Sequence, residues 1–304
     1  MLMQAVDSYL RLRRTARFQL RYTETLLKDF ARFAAERGEL YIRTETAIAW
    51  AQQSPSPQER ARRLSSITLF ARHVRAEDKN HQIPPEGVFG HCPRSRRLPY
   101  IFTSAQVAEI LAEALRLPPS GSLRPHTYCT LFGVLGACGL RISEALALQL
   151  DDIGPDGLRI RDTKFRKSRL VPLHPTAASQ LALYVHRRQD LAGAESRVFV
   201  SLRSKPLRYP TVIQTFLFLV RKLGLRSGPG EPGPRLHDLR HTFAVRALER
   251  CPERRSGIPR HMLALSTYLG HARITDTYWY LQTTPHLMVD IADACEAHLE
   301  GGQP

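Results

Sequence analysis

Lysine is nearly missing from this chain. Of its 44 basic residues only six are lysine (Lys28, Lys79, Lys164, Lys167, Lys205 and Lys222); the rest are arginine. Acidic groups are sparse as well, 28 against those 44, which leaves a formal charge of +16 and a pI near 10.2. That imbalance favours a polyanion partner, nucleic acid before acidic membrane. The plainer alternative is a well-solvated surface. Cysteine is scarce and odd in number, with Cys92, Cys129, Cys138, Cys251 and Cys295 scattered and no Cys-x-x-Cys among them. The pattern speaks against a disulfide framework and fits free thiols in a reducing cytoplasm. No apolar run reaches the roughly 18 residues of a membrane span. No apolar segment follows a basic start, so no signal peptide is expected. Internal repeats and long low-complexity tracts are missing too.

What is present divides the chain. Its 304 residues suggest about two domains with room for a proper core. Residues 1–100 hold 18 basic and 10 acidic groups, the remainder 26 and 18. Each part nets +8, so the first hundred residues carry about twice the charge density. Residues 1–82 read as helices. Leu26, Phe30 and Phe33 make an apolar stripe that stops at Gly38. Thr44 is placed to cap a short helix through Trp50. Ser56-Pro57-Gln58-Glu59 has the form of a capping box with proline at the first helical position. The helix after it lines up Leu64, Ile67, Ala71 and Val74, with Arg60, Arg62, Arg63 and Arg72 around the rest. Such an arginine-studded bundle is a candidate DNA arm, with Arg60 and Arg63 as phosphate contacts; an ordinary small bundle is the alternative. Residues 83–99 read as a linker, rich in proline and glycine. Its Arg94, Arg96 and Arg97 suit phosphate contact as the chain crosses a duplex.

A second domain, 100–284, starts with a helix capped at Thr103 or Ser104, its Val107, Ile110, Leu111 and Ala114 facing inward. Tyr128 to Cys138 should be a buried helix that ends at Gly139 and delivers Arg141 to the next one. Leu158 to Leu173 reads as a small hairpin with Lys164-Phe165-Arg166-Lys167 at its turn. Helices resume at Thr176–Arg188 and Thr211–Leu223, and Ser227 to Pro234 is a surface loop. In residues 285–304, Leu287, Ile291, Cys295 and Leu299 recur every fourth position, an apolar stripe on a final helix.

The chemistry concentrates in a few motifs. His237-Asp238-Leu239-Arg240-His241 puts His237 and Arg240 on one helix face. Leu269-Gly270-His271 follows, and then Thr277-Tyr278-Trp279-Tyr280. Upstream stands Gly139-Leu140-Arg141-Ile142-Ser143-Glu144. Two arginines suit a phosphodiester, because each guanidinium is always charged and forks onto two oxygens. The oxygen that leaves a cut phosphodiester needs a proton, which lysine can supply and arginine cannot; two of the six lysines stand within four residues at one turn. A zinc reading of His237 and His241 fails, because Asp238 is not the required Glu and no third ligand is suitably spaced.

In this order and spacing, the motifs resemble the tyrosine recombinase (phage integrase) family over roughly Pro99 to the C-terminus. The resemblance implies a mainly α fold with a small β-sheet: an N-terminal helical (SAM-like) core-binding domain and a mixed α/β catalytic domain. It implies Arg141, Lys164, His237, Arg240, His271 and Tyr280 as catalytic residues. Tyr280 would be the nucleophile, Lys164 the general acid and the histidines phosphate-binding or proton-handling groups. Glu144 would orient a catalytic side chain, His241 would lie behind the site or in the core, and Lys167 would be the fallback acid or a phosphate contact. Tyr280 lies nine positions past His271, the family's step; Tyr278 falls two short. The implied activity is site-specific recombination through a 3′-phosphotyrosine, for integration or excision of a mobile element, with no cofactor and no metal. The implied partners are double-stranded DNA and three further copies in a synaptic tetramer, from a monomer when free, with the last helix passed between protomers. No membrane and no small-molecule substrate are expected, and the place of action is the bacterial cytoplasm. The alternatives are a type IB topoisomerase, an inactive DNA-binding relative and an arginine-rich RNA-binding protein.

Overall fold

The computed structural model describes residues 2–16, 18, 20–90, 97–161, 168–191, 195–228, 230–250, 258–271 and 273–280. The chain forms two compact units, 1–97 and 98–304. No helix among the described residues is long and apolar enough to cross a membrane.

The first unit is helical: α1 (Leu2–Thr15), α2 (Arg21–Ala35), α3 (Thr44–Gln52) and α4 (Pro57–Glu77). Its core gathers Leu27, Phe30, Trp50, Ile67 and Phe70, and the predicted stripe of α4 is buried. Trp50 donates its indole N–H to Asp29 at 3.0 Å, so the largest core ring keeps its one polar atom paired. Two local details depart from the sequence reading. Thr44 is the first residue of α3 rather than its cap, and its N–H goes to the Gln82 side chain at 2.8 Å. The capping box at Ser56 is half made: Ser56 accepts from Glu59 N–H, but the Glu59 carboxylate turns away to the Tyr22 hydroxyl. Arg60 and Arg63 are half-buried. Arg60 donates to the carbonyl of Ser54 at 2.6 Å, and Arg63 lies over the Trp50 ring at 5.2 Å. Both therefore hold the α3–α4 corner together. Arg94 and Arg96 lie outside the described residues.

The second unit opens with α5 (Ser104–Ala114). Thr103 and Gln106 close a complete capping box there. Buried α6 (Leu123–Cys138) follows, then α7 (Ile142–Ala147). A three-stranded antiparallel sheet comes next, in the order β1 (Ile153–Gly154), β2 (Gly157–Ile160), β3 (Arg169–Val171). Its register pairs Leu158 with Val171 and Ile160 with Arg169. The hairpin turn, with Lys164 and Lys167, lies outside the described residues. The remaining helices are α8 (Pro175–Leu191), α9 (Tyr209–Lys222), α10 (Asp238–Glu249), α11 (Ile258–Leu269) and α12 (Thr275–Tyr278). One core joins α5, α6, α8, α9 and the sheet around Phe132, Phe199 and Phe216. A smaller cluster joins α10 and α11 with Tyr280. The stretch 285–304 lies outside the described residues.

Candidate active site

The site begins where α6 stops. Gly139 takes a left-handed conformation (φ 58°), and a β-carbon there would come within 2.4 Å of the Phe243 ring. Only glycine fits, because both the backbone angle and the space exclude a side chain. Gly139→Ala in the full chain should lose about 2–4 kcal/mol of unfolding free energy, from left-handed strain plus overpacking. Urea denaturation reads this directly; a loss below about 0.5 kcal/mol, the range of an ordinary surface change, would show that the turn relaxes freely.

Past that turn Arg141 caps α7. Its backbone N–H donates to Glu144 Oε2 at 2.9 Å. Its Nη1 reaches Glu144 Oε1 and its Nη2 the carbonyl of Gly270, each at 2.8 Å. Arg240 comes from α10 and is 2% exposed. It donates to the carbonyls of Gly139 at 2.6 Å and Leu269 at 2.8 Å, and to His271 Nε2 at 3.1 Å. Two guanidiniums thus hold the carbonyls of adjacent residues, Leu269 and Gly270, on one turn. Burial, then the Arg141 charge, lower the Arg240 pKa to about 10, so it stays cationic at neutral pH. No carboxylate hydrogen-bonds to Arg240 in the contacts above, so its charge is left for an anion. Glu144 carries the opposite charge. Burial pushes its pKa up, but hydrogen bonds from Arg169 and the Arg141 N–H outweigh that and hold it at about 2.

Three histidines close the wall. Arg240 can only donate, so His271 Nε2 accepts, and the ring proton sits on Nδ1, 2.7 Å from Thr277 Oγ1. The phosphate-facing donor role implied for His271 would therefore need Arg240 to release the ring. Burial, then Arg240 and Arg141, bring the His271 pKa to about 4. Burial, then Arg235 and Arg240, do the same for His241. His237 stands at the start of α10 with its ring edge-on to His241, centroids 4.5 Å apart. Loss of hydration lowers its pKa, with His241 and Arg240 adding to the effect and the Asp238 carboxylate opposing it. At neutral pH these are uncharged rings beside fixed cations.

Tyr280 is 3% exposed and Tyr278 is 47% exposed. The Tyr280 ring stacks on His271 at 6.1 Å, and its hydroxyl lies 3.3 Å from His241 Nδ1. Arg240 hydrogen-bonds to it as well. Burial raises the Tyr280 pKa, with Arg240 and Arg141 pulling the other way. The imidazole at the phenol is thus that of His241, for which the sequence suggested a place behind the site or in the core.

The structure therefore brings Arg141, Glu144, His237, Arg240, His241, His271 and Tyr280 to one place. Lys164 and Lys167 lie outside the described residues. Among those residues no group of His, Cys, Asp or Glu is arranged to hold a metal ion. One participant escaped the sequence reading. Arg169 of β3 is tied to Glu144 by two hydrogen bonds, 3.1 and 2.8 Å. A signal existed: it shares strand parity with buried Val171, while Leu170 between them is 51% exposed, an inversion of the usual polar-out pattern.

Residues 101–286 match the model of the phage integrase family. Over 98% of its length, and 98% of the relative's, the chain is 41% identical to a Sinorhizobium fredii protein provisionally named integrase/recombinase y4rB. It is 27% identical to the tyrosine recombinase XerD of Chlamydia muridarum, over 79% of this chain and 75% of that one. Its fold resembles that of lambda integrase in a tetramer bound to a Holliday junction, with TM-score 0.62 and 19% identity over 92% of this chain and 76% of that one.

Proposed function

Because the chain belongs to the phage integrase family, we propose that this cluster cuts and rejoins DNA strands, and that Tyr280 is the residue that attacks. The protein is a tyrosine recombinase, site-specific and DNA-binding, that assembles on its DNA. One observation carries the reading: the Tyr280 hydroxyl sits against Arg240, and Arg240 and Arg141 are fastened to neighbouring carbonyls of one turn.

Two guanidiniums a residue apart suit the two non-bridging oxygens of one phosphodiester and meet the charge that grows as the fifth oxygen approaches. Tyr280 Oη forms the new bond to phosphorus, and the bond from phosphorus to the deoxyribose 5′-oxygen breaks. The phenol proton leaves toward the histidine pair, His241 nearest, and the 5′-oxygen takes a proton from Lys164. The product is a 3′-phosphotyrosine and a free 5′-hydroxyl. Attack by another 5′-hydroxyl reverses the step onto a new strand, so no nucleotide cofactor is required.

The finer assignments follow the same reading. Residues 1–82 act as the DNA arm, 83–99 as the basic linker, 100–284 as the catalytic domain and 285–304 as the helix that joins protomers. Arg60, Arg63, Arg94, Arg96, Arg97 and Lys167 contact phosphates, with Arg60 and Arg63 limited by the intramolecular bonds they already make. The working assembly is a homotetramer formed on DNA from free monomers, acting in the bacterial cytoplasm on a mobile element. A monomeric topoisomerase finds less support, since the relatives above carry recombinase and integrase names. The test is incubation with nicked suicide duplexes from the flanks of the protein's own gene. A protein–DNA adduct that survives boiling in detergent is expected; relaxation of supercoils by isolated monomers, with no adduct on paired sites, would favour the topoisomerase.

A further inference from the structure

Arg169 has no step in that reaction, yet it is built into the centre of the site. Its side chain is 12% exposed. Nε donates to the carbonyl of Tyr268 at 2.7 Å, and Nη1 and Nη2 fork onto the two oxygens of Glu144. Glu144 is thus shared. Oε1 accepts from Nη1 of both arginines, while Oε2 accepts from the Arg141 backbone and from Arg169 Nη2. The two-pronged geometry, the stronger form of an arginine–carboxylate pair, belongs to Arg169. Arg141 keeps one side-chain bond to Glu144 and sends its other nitrogen to the Gly270 carbonyl. Gly270 itself has φ 66°, and a β-carbon on it would lie 2.8 Å from Arg169 Nη1. The guanidinium therefore also occupies the space beneath the turn that Arg141 and Arg240 hold.

A buried glutamate beside Arg141 alone would form a neutral pair, and in a site with little water that cancellation is scarcely screened. Arg141 would then offer a phosphate little net charge. A second arginine on the same carboxylate changes the total from zero to +1. It also occupies the fork that Arg141 would otherwise close onto Glu144.

We propose that Arg169 is a positioning residue for strand cleavage: by taking the fork of Glu144 and the Tyr268 carbonyl, it keeps the charge of Arg141 available to the phosphate and the Gly270 turn at the height Arg141 needs. This rests on the reading of the site as the centre of phosphodiester cleavage. A purely structural ion pair would make a different prediction: its loss would lower melting temperature and site affinity along with cleavage, whereas loss of charge at Arg141 slows cleavage and weakens sulfate binding with site affinity little changed.

The experiment compares Arg169→Gln, Arg169→Lys, Glu144→Gln and the Glu144→Gln/Arg169→Gln double variant in the full chain. One readout is single-turnover cleavage of suicide DNA, with site affinity measured at the same salt. The other needs no DNA: sulfate binding, followed by the Nε–H resonances of the site arginines. Arg169→Gln should slow cleavage about 10²-fold, the scale of losing one preorganised charge contact, and change site affinity less than about threefold. Its sulfate affinity should fall at least about fivefold, roughly 1 kcal/mol by the conversion of tenfold to 1.4 kcal/mol. The double variant, freed of the carboxylate, should regain at least about tenfold in cleavage over Arg169→Gln, part of the charge contact restored, and most of the sulfate affinity. Arg169→Lys should fall between native and Arg169→Gln. If Arg169→Gln gives no cooperative melting transition, Arg169→Lys replaces it, and adding Glu144→Gln must then raise its rate and its sulfate affinity. Native behaviour of the Arg169 variants, or a double variant no better than its parent in both readouts, would overturn the proposal. A native protein that binds sulfate through these arginines but never forms an adduct would refute the cleavage reading instead, leaving the sulfate comparison to decide the role of Arg169.

Discussion

Tyr280→Phe should bind its DNA site with native affinity and form no covalent adduct. The loss in cleavage should be at least about 10⁴-fold, the scale on which enzymes lose rate when the nucleophile alone is removed. The substitution keeps the ring, and with it the packing on His271 and Trp279. What disappears is the one oxygen that faces both Arg240 and His241. Tyr278→Phe should still form the adduct, because the Tyr278 side chain is half open to solvent. Peptide mapping of the trapped complex separates the two. DNA found on Tyr278, or on Tyr268 of α11, would sink the assignment. Burial also explains why the phenol should be quiet before DNA arrives. Its pKa is raised, so at neutral pH it is protonated, and the two imidazoles beside it, His241 and His271, are uncharged bases near cations. A phosphate entering between Arg141 and Arg240 adds negative charge, which favours a protonated imidazole but opposes a free phenolate, so the phenol proton passes to His241 as the bond to phosphorus forms.

Arg240→Ala is expected to produce the second largest effect. Cleavage should fall by about 10²–10³-fold, as when one preorganised donor to a transition-state oxyanion is deleted. Site affinity should fall far less. Stability should suffer too, because two buried carbonyls, of Gly139 and Leu269, lose their donor. Each orphaned group costs about 1–3 kcal/mol. Arg240→Lys separates the two consequences. It keeps a cation but cannot fork, so it should restore part of the melting temperature while cleavage stays low. The measurement is single-turnover cleavage beside affinity and melting temperature for both variants. Equal losses in binding and cleavage would make Arg240 an ordinary backbone contact.

Much of the molecule was legible before any coordinates. Helices α4, α5 and α6 were readable because caps and apolar spacing agree at each. Ser56 and Thr103 start the first two, and Gly139 ends the third with space for nothing else. The site residues were readable as positions, since His237, Arg240, His271 and Tyr280 recur at telling intervals. Their contacts were not. The groups that aim Arg141 and Arg240 are backbone carbonyls of Gly139, Leu269 and Gly270, and every residue has a carbonyl. No spacing rule singles those three out. The same holds for His241, adjacent in sequence to Arg240. His237 and His241 share one helix face a turn apart, and which of them meets the phenol is set by where Trp279 and Tyr280 pack, against His241. Arg169 was hidden for another reason: a three-residue strand has too few positions for its inverted alternation to stand out.

The Leu269–Gly270 turn has a practical corollary. Consecutive Cα atoms across a trans peptide are fixed about 3.8 Å apart by bond lengths and angles. Each of the two arginines is clasped to one of two successive peptide units joined at Gly270, so the gap between them is gauged by the backbone angles of that one residue rather than by how well side chains happen to fit. Core substitutions elsewhere in the unit can loosen it without changing the gauge. A recombinase re-engineered for a new DNA address should therefore tolerate wide changes in its recognition surface while refusing any insertion or deletion between Tyr268 and His271. A library that randomised length there would return almost no active members, however permissive it was about sequence beyond.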